Sequence, residues 1–179
     1  MENLIIGQTG KADLQDVLSI VKNSFADDEV AELVRDLWQD PSARPSLSLI
    51  ARHQERPVGY ILFTRAKVRS NSVVKASILA PLAVIPEFQN RGVGEQLIGR
   101  GLALLTQHKV ALAFVLGYPD YYSRHGFQPA GRLGFEAPYP IAEKNHDAWM
   151  VQELQSGGLD GPGIVQCAKT MDRPEYWRE

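Results

Sequence analysis

The chain holds one cysteine, Cys167, among its 179 residues. One thiol cannot build a disulfide framework, and such scarcity predicts a reducing, cytoplasmic setting. No histidine stands nearby to activate Cys167, so it reads as a half-buried packing residue. Long apolar runs are missing too. None approaches the ~20 residues needed to span a bilayer, and no basic-then-apolar leader opens the chain; no membrane partner is expected. An excess of positive charge is also lacking: 19 basic residues face 21 acidic ones, a net charge of −2. That total carries no nucleic-acid footprint and leans toward a cationic ligand, although net charge says little about a pocket. The four histidines, His53, His108, His125 and His146, lack metal-ligand spacing, so no metal is expected. Internal repeats and low-complexity tracts are absent.

What remains fits one domain spanning residues 1–179, with 155–179 partly loop and tail. Leu4-Ile5-Ile6 predicts a first strand. Asp13 is placed to cap a helix with Leu14, Val17, Leu18, Val21 and Phe25 on one face. Asp27-Asp28-Glu29 suits the start of a second helix, with Val30, Leu33, Val34 and Leu37 facing the core and Pro41 ending it. Strands are predicted over Leu47–Arg52, Val58–Val68 and Val73–Val84, as an antiparallel meander. A helix follows over about Gly94–Gln107, then an apolar strand, Val110–Leu116, of the kind buried on both faces by parallel pairing. Pro119–His125 reads as a short helix or turn, Phe127–His146 has no clear pattern, and Ala148–Leu154 reads as a last strand.

Gln89-Asn90-Arg91-Gly92-Val93-Gly94 joins the third meander strand to the helix. A glycine loop entering a helix N-terminus offers outward N–H groups and partial positive charge to an anion. A P-loop needs Gly-Lys-Ser/Thr, but Glu95 follows Gly94. A dinucleotide fingerprint needs a third glycine where Leu97 stands. ATP and NAD are therefore disfavoured.

Gln-x-x-Gly-x-Gly after Leu82-Ala83-Val84-Ile85-Pro86 resembles the coenzyme A site of the GCN5-related N-acetyltransferase (GNAT) superfamily. Tyr122-Ser123-Arg124-His125-Gly126-Phe127 resembles the family's Tyr-x-x-x-Gly-Phe segment. The longer run from Leu116 to Phe127 is similar to a bacterial group whose acceptors are undefined. The resemblance covers nearly the whole chain in element order. It implies an α/β (α+β) fold: a mixed, mostly antiparallel twisted sheet of six to seven strands with about four helices. It departs from the family in that Gln89 and Asn90 are neutral where basic residues are frequent; Arg91 restores one charge.

The resemblance implies acetyl-CoA as co-substrate and acetyl transfer to a small-molecule or peptide amine. Gln89, Asn90, Arg91, Gly92, Val93 and Gly94 would hold the pyrophosphate. Main-chain groups of Leu82, Ala83 and Val84 would pair with the pantetheine arm, and the N–H of Leu82 or Val84 would polarise the thioester. Gly117 and Tyr122 complete the CoA contacts, and Tyr122 is the candidate general acid. Tyr121 is the neighbouring alternative. The base is left open among Asp28, Glu29, Glu32 and water. Trp38, Trp149 and Trp177 are either pocket walls or core. A homodimer is compatible with the family, and the use of longer acyl-CoAs is open. The competing class is a non-catalytic acyl-CoA-binding or sensor module.

Overall fold

The computed structural model describes residues 1–178. Eight strands form one sheet: β1 (Leu4–Gln8), β2 (Leu47–His53), β3 (Arg56–Val68), β4 (Asn71–Val84), β5 (Leu112–Leu116), β6 (Gln128–Pro129), β7 (Trp149–Glu153) and β8 (Val165–Gln166). The helices are α1 (Leu14–Ser24), α2 (Glu29–Gln39), α3 (Val93–Gln107) and the one-turn α4 (Pro119–Tyr122). The sheet order is β1-β2-β3-β4-β5-β7-β6, with β8 paired to the far end of β3. All pairings are antiparallel except β4 with β5. Strands β6 and β8 are only two residues long, too short to leave an alternation in sequence. Among the described residues, no helix is long and apolar enough to cross a membrane.

Local chemistry explains the boundaries. Gln54 and Glu55 both take positive φ, the two-residue geometry that suits a tight hairpin, so β3 begins at Arg56 rather than Val58. Helix α3 ends with Lys109 left-handed at φ 64°. The N–H of Val110 donates to Leu105 and that of Lys109 to Thr106, a Schellman-type stop. Val110 is therefore spent on the helix end, and β5 starts two residues later. Asp13 differs from its expected role. Its carboxylate accepts from the Gly10 N–H at 2.7 Å and pairs with Arg52 at 2.9 Å, tying the first turn to β2; it makes no side-chain cap on α1.

Helix α3 covers one face of the sheet, contributing Val93, Leu97, Ile98, Leu102 and Leu105 to the core. Helices α1 and α2 bury Val17, Ile20, Val21, Leu33, Val34 and Leu37. Next to them the C-terminal segment contributes Met171 and Trp177, both buried. Asp40, just past α2, fastens that segment. Its carboxylate accepts from the Ser42 N–H and hydroxyl (2.8 and 2.6 Å) and from the Thr170 N–H and hydroxyl (2.9 and 2.7 Å). Burial alone would raise its pKa, but those hydrogen bonds outweigh it and hold the carboxyl at about 2.

Candidate active site

The site lies where β4 and β5 part. They pair in parallel from Ala76/Leu112 to Leu79/Val115 and no further. Beyond that point β5 stays with β7, through Leu116 opposite Trp149 and the Gly117 N–H donating to Ala148. Strand β4 stays with β3, but the register slips between Ile61/Leu82 and Phe63/Leu79. A bulge at Ala80-Pro81 thus sits at the mouth of the gap, a common place for one near a site.

The backbone of β4 past the bulge is readable. The Ile85 N–H donates to Val58 on β3. Successive residues of a strand alternate their N–H groups between its two edges. Leu82 and Val84 therefore direct theirs away from β3, into the gap that β5 has left. The Val84 carbonyl accepts from the Gln89 amide at 2.9 Å, which folds the loop back onto the strand end.

The loop has the left-handed turns that can cradle an anion. Asn90 and Gly92 are left-handed, at φ 59° and 85°, a pattern that turns successive N–H groups to one side. The first N–H groups of α3 have no partner within the helix, and no side chain caps them. The Arg91 guanidinium lies 5.2 Å from the Phe88 ring centre, beside the loop; that of Arg56 lies 5.6 Å from the same ring and pairs with Glu87 at 3.3 Å. Gly94 leaves room for its neighbour: a Cβ there would stand 2.6 Å from the Tyr121 hydroxyl. Burial, and then the Glu95 charge, push the Tyr121 pKa up to about 12, so it remains a donor above the loop.

The gap opens into a cleft of about 580 Å³ on the α1/α2 side of the sheet. Leu82, Leu116, Gly117 and Tyr122 line its inner end. The Tyr122 ring lies against Gly117, where a Cβ would meet it at 2.4 Å, and packs edge-on to Phe127 at 5.7 Å. Tyr122 is 8% exposed, and burial, with Tyr121 beside it, raises its pKa well above the usual tyrosine value. It therefore stays protonated at neutral pH, and it lines the cleft while also packing with Phe127.

The sequence-predicted residues fall into two groups. Leu82 to Val84, the loop, Gly117 and Tyr122 come together around one gap. Asp28, Glu29 and Glu32 are exposed and none lines the cleft. Trp177 lines it, whereas Trp38 donates to the Tyr60 hydroxyl at 2.9 Å and Trp149 stacks on Phe114 at 5.1 Å, both outside it. Sequence reading named Tyr121 only as an alternative to Tyr122 and missed Arg56, Met171 and Tyr176. Tyr121 and Arg56 carry no local signal for the loop, and Met171 with Tyr176 reaches the cleft from the far end of the chain. Among the described residues, no group of three or more His, Cys, Asp or Glu side chains is close enough to hold a metal ion.

Residues 6–130 match the acetyltransferase (GNAT) domain model. The chain is 44% identical over 162 residues to the uncharacterized N-acetyltransferase YjhQ of Escherichia coli K12, covering 89% of this chain and 90% of that one. It is 31% identical over 157 residues to the uncharacterized N-acetyltransferase YhbS of the same organism, covering 87% and 90%. Of solved structures, YhbS from Escherichia coli in complex with CoA superposes with a TM-score of 0.86 at 26% identity, over 96% of this chain and 93% of that one. A GNAT family acetyltransferase from Brucella melitensis in complex with acetyl-CoA shares the fold, with a TM-score of 0.76 at 20% identity, over 96% and 100%. The chain belongs to the GNAT family of N-acetyltransferases.

Proposed function

We propose that this protein transfers the acetyl group of acetyl-CoA directly to the nitrogen of a small-molecule or peptide amine. The observation that carries the reading is the Leu82 and Val84 N–H pair, aimed into the gap between an anion-binding loop and a protonated tyrosine. YhbS, solved in complex with CoA, supports CoA as the ligand of this loop.

Each residue then has a task. The N–H groups of the Gln89 to Gly94 loop and of the α3 N-terminus receive the pyrophosphate, with Arg91 adding charge. Leu82, Ala83 and Val84 pair with the pantetheine arm as an added strand. The N–H of Leu82 or Val84 donates to the oxygen that becomes negative as the amine attacks. The new C–N bond forms and the C–S bond breaks. Tyr122 gives its proton to the departing sulfur, and the nitrogen loses one to water, since no carboxylate among the described residues lines the cleft. The single cysteine supports a cytoplasmic location, and a homodimer is testable by light scattering.

The test is Tyr122→Phe. With CoA affinity retained by calorimetry, kcat is expected to fall by roughly 100-fold or more, the usual scale of a lost general acid. Unchanged turnover would remove Tyr122 from the chemistry.

A further inference from the structure

We infer that the acceptor is an amine of low basicity on an apolar, ring-sized body, and that it enters the cleft uncharged. This rests on the transferase reading above.

The wall facing the gap is apolar and aromatic. Phe25, Val30 and Leu33 line it together with Met171, Tyr176 and Trp177. The polar side chains lining the cleft are Asn145 and three phenols, Tyr118, Tyr122 and Tyr176. No ionisable carboxylate, ammonium, guanidinium or imidazole lines the cleft among the described residues. Ionisable residues stand close in sequence: Lys22 and Asp27 near Phe25, Asp28, Glu29 and Glu32 near Val30, Asp120 and Arg124 near Tyr122, Lys144, His146 and Asp147 around Asn145, and Asp172 and Glu175 near Tyr176. None of them lines the cleft. The lean toward a cationic ligand suggested by net charge is therefore not carried into this pocket.

Two consequences follow for an amine. An ammonium would lose its water here without a carboxylate to pair with, which is strongly unfavourable. An ammonium also has no lone pair, and no side chain in the cleft can strip its proton. The nitrogen must arrive already neutral. With α-amines near pKa ~8 and lysine near ~10.4, the neutral fraction at pH 7 differs by roughly 300-fold. The apolar walls then favour a ring over a polyamine.

The experiment uses the whole protein with saturating acetyl-CoA at pH 7. Thiol release and N-acetyl product are measured for phenylalanine amide, Nα-acetyl-lysine amide and spermidine, with CoA binding by calorimetry alongside. Phenylalanine amide is expected to exceed each of the others in kcat/KM by about 100-fold or more, as the neutral fractions dictate. Either cationic amine matching it with CoA bound overturns the inference, as does CoA binding with none of the three acetylated. Failure to bind CoA would instead overturn the transferase reading beneath it. Val30→Asp supplies a second readout, because an acidic residue suits the first turn of α2. It is expected to lower the preference for phenylalanine amide over spermidine by about 10-fold, through pairing with the cation; an unchanged ratio counts against the inference.

Discussion

Tyr121 and Tyr122 are adjacent in sequence and divide the proposed site between them. The hydroxyl of Tyr121 sits over Gly94 at the start of α3, and the ring of Tyr122 lies on Gly117 at the end of β5. Their rings are 5.1 Å apart and nearly perpendicular, so one short helix serves both the loop and the cleft. Burial keeps both phenols protonated. A group whose pKa is raised keeps its proton until the pH passes that raised value. The ratio of wild-type to Tyr122→Phe kcat is therefore expected to stay constant from about pH 7 to 10, the ordinary tyrosine pKa. A ratio that collapses within that range in a pH–rate profile would show that the tyrosine ionises earlier. Gly94→Ala is expected to displace the Tyr121 hydroxyl. Calorimetry should find CoA affinity reduced by about tenfold or more, since ~1.4 kcal/mol is enough for that, while kcat at saturation changes less. The motif glycines and Tyr122 are legible in the sequence because they sit at fixed local offsets. The reason for Gly94 is not, because it is supplied by a side chain 27 residues away.

The gap between β4 and β5 depends on a bulge and on a strand that leaves its partner, and both depend on elements elsewhere. The meander, the β-α-β crossover and the parallel pairing are legible because each strand is a single apolar run with turn residues at its ends. The cleft wall is not. Met171, Tyr176 and Trp177 stand in short one-turn segments between Lys169 and Trp177, which leave no periodicity. The first of these segments is held by Asp40, whose partner Thr170 is 130 positions away. Asp40→Ala is expected to destabilise the fold by about 1–3 kcal/mol, since four donors lose their acceptor. It should also lower kcat/KM by loosening the Met171 to Trp177 wall. The carboxyl pKa is depressed, so its stabilisation is full above the unfolded value, near 4, and is lost as the pH falls toward about 2. Urea unfolding of wild type and Asp40→Ala should therefore converge on acidification across that window. A gap that persists at the acid end would mean that Asp40 acts through packing alone.

At the scale of the whole molecule, the sheet separates two tasks. One end of the gap holds the loop and the Arg91 guanidinium beside it. The other opens onto neutral, apolar walls facing α1, α2 and the C-terminal segment. Donor and acceptor can then approach one reacting point from opposite sides, which is the positioning that acyl transfer demands. CoA at 100 times its Kd is expected to add about 2.7 kcal/mol to stability, or about 5–10 °C in Tm for a chain of this size. ATP and NAD should give no comparable shift. The family and the donor were legible from the loop with Leu82 to Val84, whereas the acceptor side was not, since its walls assemble from segments distant in sequence. The most direct measurement of the central claim follows labelled acetyl from acetyl-CoA to product with the purified protein. The account predicts N-acetylated amine formed in step with free CoA thiol, and lost together in Tyr122→Phe. CoA bound tightly, with no label passed to any amine across a broad panel, would contradict it and leave an acyl-CoA-binding module.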